Sequence, residues 1–202
     1  MDDGIVRDVA TLETLYGAPS EASLVKVAPR LTPLYRKWIM ASRFCVISTV
    51  GAEGTDGSPR GDDGPVVQEL DDRTLLLPDW RGNNRIDTLR NIVEDGRISL
   101  MFMVPGSNNV IRINGTAVVS LAKDLIARFN DEGRKPRAVI VVSIGEVYSQ
   151  CARALLRAEL WSGAHDTSDL PSIGQLLAEQ KAGFDGQGYD ADWDARAAKT
   201  MW

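Results

Sequence analysis

Residues 75–92 read Leu75-Leu76-Leu77-Pro78-Asp79-Trp80-Arg81-Gly82-Asn83-Asn84-Arg85-Ile86-Asp87-Thr88-Leu89-Arg90-Asn91-Ile92. An apolar run of strand length meets a proline, passes through a polar segment with two arginines, and ends in a helical pattern. Asn84 suits a helix N-cap, with Asp87 three residues on, close to a capping-box arrangement. The first turn of such a helix offers unpaired N–H groups and the positive end of the helix dipole. Arg81 and Arg85 add donors able to grip phosphate oxygens, and Gly82 lets backbone approach a ligand closely. Spacing alone fits both a phosphate cradle and an ordinary capped helix with exposed arginines.

Working outward, the neighbouring segments are strands. Phe44 to Val50 is rich in β-branched residues, and Gly54, Gly57 and Gly61 mark a hairpin region after it. Val66 to Leu70 and Thr74 to Leu77 read as strands joined by Asp71-Asp72. Ile98 to Val104 is apolar throughout and stops at Pro105-Gly106; Val110 to Val119 and Val139 to Val147 follow. Most connections are too short for helical crossovers, so the expected fold is mainly β with flanking helices, a six-stranded antiparallel sheet or small barrel.

Helices are expected at both ends and between strands. Ile5, Val9, Leu12 and Tyr16 recur at helical spacing, and Thr32-Pro33 announces a second helix with its cap and first-turn proline. Further helical patterns lie at about Arg85–Glu94, Ala122–Asn130 and Gln150–Leu160, and Ile173–Gln180 precedes a glycine-rich link, Gly183 to Gly188. The whole, 1–202, reads as a single domain with a helical N-terminal segment (about 1–42) and a helical C-terminal tail (about 172–202).

Composition bounds the function. The chain has 202 residues, 44% hydrophobic and 25% charged, with 23 basic against 28 acidic side chains for a net charge of −5. That balance gives no net attraction to nucleic acid or anionic lipid. Two cysteines, Cys45 and Cys151, are too few for a disulfide scaffold and lack metal-ligand spacing. No apolar run reaches membrane-spanning length and the start, Met1-Asp2-Asp3-Gly4, is acidic, so a cytoplasmic protein is expected.

Several sharp-looking motifs have blander readings. Gly186-Gln-Gly188-Tyr-Asp-Ala191 has dinucleotide-fingerprint spacing but follows no strand. Arg60-Gly61-Asp62 reads as a turn, and Asn114-Gly-Thr116 is a sequon without a secretory route. The only histidine, His165, lies in a polar segment with no partner at ligand spacing, and no Gly-x-Ser-x-Gly elbow exists. Asp56, Asp62 and Asp63 follow no calcium-loop pattern and read as a solvated hairpin. No metal site and no side-chain acid–base machinery is visible, so the catalytic residues are unknown at this level. Ser58-Pro59-Arg60-Gly61 leads into the strand next in order, which makes Arg60 a candidate for the same phosphate. Arg112 alternates with Ile111 and Ile113. Arg153 and Arg157 lie four apart on one helical face that Trp161 continues.

Three motifs stand out, Ser58-Pro-Arg-Gly-Asp62, Leu75-x-x-Pro-Asp-x-x-Gly-Asn-Asn-Arg-x-Asp87 and Arg112-x-Asn-Gly115, and the central one is long enough to be specific. With Cys151–Trp161, they make the chain resemble the pyridoxamine 5′-phosphate oxidase-related, FMN-binding split-barrel superfamily, in its branch of FMN-dependent enzymes. The resemblance covers about Leu34 to the tail. It implies a six-stranded antiparallel split β-barrel, and a homodimer with FMN at the subunit interface. By position, Arg60, Asn84 and Arg85 hold the FMN phosphate, with Gly61, Gly82 and Asn83 in the same motifs. The backbone of Leu77, Pro78 and Asp79 runs along the flavin ring, and Arg112 and Trp161 reach the site from the partner chain. A flavin supplies its own redox chemistry, in keeping with the missing acid–base residues. The Arg-x-His pair that would bind pyridoxamine phosphate is absent, and Gln150 stands where close relatives carry histidine. An FMN-dependent oxidoreductase acting on a small-molecule substrate, or taking electrons from NAD(P)H, is therefore expected. The alternative is a non-catalytic protein sequestering flavin, deazaflavin or haem.

Overall fold

The computed structural model describes residues 4–130 and 133–200. Met1–Asp3, with most of the acidic start, and Met201-Trp202, the end of the expected tail, lie outside the described residues, as do Asp131 and Glu132. Among the described residues the chain runs through α1 (Val9–Tyr16), α2 (Glu21–Val25), α3 (Pro33–Ile39), β1 (Phe44–Gly51), β2 (Gly54–Gly61), β3 (Gln68–Asp71), β4 (Thr74–Asp79), α4 (Asp87–Glu94), β5 (Arg97–Met103), β6 (Val110–Ser120), α5 (Lys123–Ala127), β7 (Ala138–Gln150), α6 (Arg153–Arg157), α7 (Ile173–Gln180), α8 (Gly186–Ala191) and α9 (Trp193–Thr200).

The strands form one antiparallel sheet in the order β2-β1-β5-β6-β7-β4-β3. It has seven strands where the sequence suggests six. The addition is β2, whose sequence Gly54-Thr-Asp-Gly-Ser-Pro-Arg-Gly61 lacks strand propensity and reads locally as turn. Pairing makes it a strand, because Phe44 to Gly51 register residue by residue against Gly61 to Gly54. Val66 and Val67, expected at the start of β3, instead lie buried in the link before it.

The sheet curls. Laid flat, its two edge strands would stand about 29 Å apart, six spacings of about 4.8 Å. The chain passes from Gly61 at one edge to Gln68 at the other, and seven extended residues reach at most about 25 Å. The two ends also touch, since the Trp80 indole N–H after β4 donates to Asp62 after β2 at 2.9 Å. No ladder joins β2 to β3 among the described residues, so hydrogen bonding does not close the curl into a barrel.

Inside the curl lies the main core. Cys45 and Ile47, Leu75 and Leu77, Leu100 and Phe102, Ile113, Ile140 and Val142 are all almost completely buried, each apolar side chain of this size contributing about 1.5–3 kcal/mol. The alternation is broken between the two longest strands, β6 and β7. In β7 the inward set passes from Ile140, Val142 and Ile144 to Val147 across Gly145, where the register with β6 shifts beside Gly115.

Helices cover the ends. The side chain of Thr32 accepts from the Tyr35 amide, with Pro33 in the first turn. From α3, Ile39 enters the core, and Arg36 makes a bidentate pair with Glu69 of β3 at 2.6 and 2.7 Å. Helix α4 buries Thr88, Asn91 and Ile92 against β1 and β6. Phe129, just after α5, packs with Leu76 and Val139 in a smaller cluster on the other face of the sheet.

Other helical expectations needed revision. The pattern over Gln150–Leu160 yields only α6, because Gln150 still belongs to β7 and Glu159 takes φ +46°. The glycine-rich link at Gly183 holds a helix, α8, capped by Asp185 accepting from the Gly188 amide. Gly174 and Gly186 let α7 and α8 cross closely, since a Cβ on Gly174 would stand 2.0 Å from the Gly186 carbonyl. The Ile173–Gln180 helix appears with the expected limits and a complete capping box at Ser172 and Gln175. Val9, Leu12 and Tyr16 on α1 are exposed.

Candidate functional site

Side-chain alternation in β2 builds one wall of a cavity. Residues opposite the inward-facing Cys45, Ile47 and Thr49 of β1 are Arg60, Ser58 and Asp56, so the inner face of β2 is polar where its neighbour's is mostly apolar. Across from it stand the end of β4, the loop 80–86 and the start of α4. Between them lies a cavity of about 1040 Å³, lined also by Val119, Leu121 and Arg137. Arg60 folds back on its own strand, donating to Ser58 Oγ and, at 3.0 Å, to the Pro59 carbonyl.

Strand β4 supplies an open backbone edge. Leu77, Pro78 and Asp79 pair with Ile140, Val139 and Ala138 of β7 on one side, but run past the last residue paired with β3 on the other. Pro78, which has no N–H to donate, is tolerated at such a place.

The loop between β4 and α4 does not follow the capping expectation. Helix α4 starts at Asp87 after Ile86, with no side-chain cap. Asn84 is instead in the left-handed region at φ +62°, which asparagine tolerates better than most residues. Its Oδ1 accepts from Arg137 Nη1 at 2.7 Å, so its side chain is committed to the segment just before β7. Asn83 Oδ1 accepts from the Arg85 amide at 3.0 Å, a local turn bond. Arg85 pairs with Asp87, Nη2 to Oδ2 at 2.9 Å, and remains exposed.

Charges of both signs line the cavity. The arginines are Arg60, Arg81, Arg85 and Arg137; the aspartates are Asp56, Asp62, Asp63, Asp79 and Asp87. The acidic cluster is only in part the solvated hairpin its sequence suggests: Asp56 lies in the β1–β2 hairpin and Asp63 is exposed, but Asp56 and Asp62 are half-buried and partnered. Asp56 accepts from the Thr88 hydroxyl at 2.5 Å, Asp62 from Trp80, and Asp63 lies 3.6 Å from Arg134. Burial pushes the carboxyl of Asp79 above its ordinary range, with Arg60 and Arg137 pulling it back. Burial likewise raises Asp62, opposed by the Trp80 bond and reinforced by Asp63. Burial also pushes the Cys45 thiol, opposite Arg60, up to about 12, which leaves it unreactive. The arrangement suits a ligand carrying both an anionic group and several N–H or O–H donors.

Of the residues singled out from sequence, Arg60, Gly61, Leu77, Pro78, Asp79, Gly82, Asn83, Asn84 and Arg85 line this one cavity. Arg112 and Trp161 do not. The Arg112 guanidinium stacks on Tyr148 at 5.4 Å, while the Trp161 indole donates to the Ser107 carbonyl at 2.8 Å. Arg137 was missed, and so was the bridging Trp80. The only local signal for Arg137 is the basic run Arg134-Lys135-Pro136-Arg137 before β7. Its place at the cavity comes from the pairing of Asp79 with Ala138. His165 is exposed, with a ring nitrogen 3.1 Å from the Ala158 carbonyl. No group of three or more metal-ligating side chains occurs among the described residues, and none of their helices is long and apolar enough to cross a membrane.

The pyridoxamine 5′-phosphate oxidase family profile matches residues 31–151. Among solved structures, HupZ of Group A Streptococcus shares 18% identity over 59% of this chain and 93% of its own, with a TM-score of 0.50. At that identity the likeness concerns the fold alone. General Stress Protein 26 of Bacillus anthracis follows at 17% identity over 56% of this chain and 88% of that one, TM-score 0.42. An F420 reductase is 10% identical over 59% of this chain and 98% of its own, TM-score 0.42. No curated protein matches the chain.

Proposed function

This chain belongs to the pyridoxamine 5′-phosphate oxidase family, and from that premise we propose that it is an FMN-binding flavoprotein, an oxidoreductase built on a split barrel. The observation that carries the reading is the convergence of two separate motifs on one cavity, Ser58–Asp62 from β2 and Leu77–Asp87 from the β4–α4 segment.

The donor set fits a flavin mononucleotide. Arg60 and Arg85 would hold its phosphate, since guanidinium groups bind phosphate oxygens through paired charge-assisted bonds. Ribityl hydroxyls and the ring imide N–H are donors that the carboxylates of the same cavity can receive. The open edge at Leu77–Asp79 would lie along the ring, and Gly82 leaves the loop backbone accessible. When bound, the flavin supplies hydride or electron transfer. The protein binds it, orients it and screens one side from water with Leu77, Val119 and Leu121. Arg112 and Trp161 lie outside this chain's own cavity, which agrees with a homodimer in which each protomer completes its partner's site. The side chain of Leu121, 72% exposed where it lines the cavity, is apolar surface such a partner would cover. The substrate is a small molecule other than pyridoxamine phosphate.

Flavin absorbance bands in the purified protein, and fluorescence quenching tighter with FMN than with riboflavin, are the expected results. Quenching that survives Arg60→Ala with Arg85→Ala would place the phosphate elsewhere. Reduction of the bound flavin by NADH or NADPH, faster than that of free FMN, marks an enzyme; no reduction with either marks a carrier.

A further inference from the structure

Arg137 belongs to neither motif, yet it lies at the rim of the same cavity, at the entrance to β7. Two observations define its position. One of its N–H groups donates to Asn84 Oδ1 at 2.7 Å, which ties its guanidinium to the loop bearing Arg85. Its backbone amide also donates to the Asp79 carbonyl at 3.0 Å, and its charge and that of Arg60 both pull on the Asp79 carboxyl, so one cation from β2 and one from the segment just before β7 act on the same carboxylate. An arginine carries five N–H donors in a rigid fork, and the bond to Asn84 uses one of them, leaving the rest of the fork to bind an anion. Asn84, held in the left-handed region, would aim that fork rather than bind phosphate through its own committed oxygen.

We propose that Arg137 is a specificity residue of this site, a guanidinium aimed by Asn84 that selects ligands carrying a phosphomonoester. The inference rests on the flavin reading above. It revises the role expected for Asn84 from phosphate ligand to positioning residue.

The test is a fluorescence titration of the full chain with FMN and, separately, with riboflavin. Wild type is compared with Arg137→Gln, which removes the charge but keeps an amide donor within reach of Asn84, and with Arg137→Lys, which keeps the charge without the fork. Loss of one charge-assisted contact is expected to weaken FMN binding by about 10- to 100-fold. Riboflavin affinity stays within about twofold, and the lysine variant falls between. Asn84→Ala weakens FMN by a smaller factor and again spares riboflavin. Unchanged FMN affinity in Arg137→Gln, while wild type still prefers FMN, overturns the inference and leaves the flavin site standing. Equal loss for both ligands also overturns it, because Arg137 would then only brace the loop. A wild-type chain that binds neither flavin, or both equally, overturns the site and the inference together.

Discussion

Gly115 gives the sharpest test of how the two longest strands are held. It sits in β6 beside the register shift, and a Cβ there would stand 2.1 Å from the Ser143 carbonyl oxygen and 3.0 Å from the Gly145 amide nitrogen. Both neighbours are backbone atoms of β7, so no side-chain rotation relieves the clash in Gly115→Ala. The strands must part by about 1 Å, stretching the two hydrogen bonds that flank the bulge, at about 0.5–1.5 kcal/mol each. The same shift loosens Ile113 and Ile144, which are buried on either side. Together these place the loss at about 3–5 kcal/mol, the range of severe core substitutions. A domain of this size loses about 2–4 °C per kcal/mol, so the melting temperature should fall by about 6–20 °C. The control is Gly57→Ala in β2, where a Cβ meets nothing within 4 Å; it should change stability by less than about 1 kcal/mol. Circular-dichroism melts and urea titrations of both variants measure the difference. A Gly115→Ala protein that melts within 2 °C (about the effect of 1 kcal/mol) of wild type, or a Gly57→Ala protein that falls as far, would refute the bulge geometry.

Three further outcomes are expected. Asp79 is held above its ordinary 3.8 by burial, so the folded chain binds its proton more tightly than the unfolded one. The associated stability is complete below pH 3.8 and is lost as pH rises through the raised value. Asp79→Asn should therefore raise the melting temperature most above that window and least below it, as melts across a pH series will show. Asn91 and Thr49 are buried and joined by a 3.1 Å bond that seats α4 on β1; Asn91→Ala should cost about 1–3 kcal/mol in urea unfolding. Gly174→Ala would drive a Cβ to 2.0 Å from the Gly186 carbonyl, so limited proteolysis should cut the α7–α8 region faster. The weak packing of α7 and α8 on the strands leaves the main thermal transition nearly unchanged.

Where a segment's structure follows from its own residues, the sequence alone determined it. The β-branched runs at Phe44–Val50 and Val139–Val147 form strands because their side chains suit a pleated, half-buried surface in any register. Thr32-Pro33 and Ser172 start helices because a cap satisfies amides only three residues away. The motifs around Arg60 and Arg85 likewise announced the family, and nine of the residues drawn from them line one cavity. Pairing across distance decided the rest. Gly54–Gly61 has no propensity for a strand and becomes one against β1, and α6 shortens because β7 claims Gln150. Asn84, capable of capping a helix locally, is drawn into the left-handed region with its side chain on Arg137, fifty-three positions away. No local pattern encodes that contact. It exists because the antiparallel register sets Asp79 opposite Ala138, and the register belongs to the sheet as a whole.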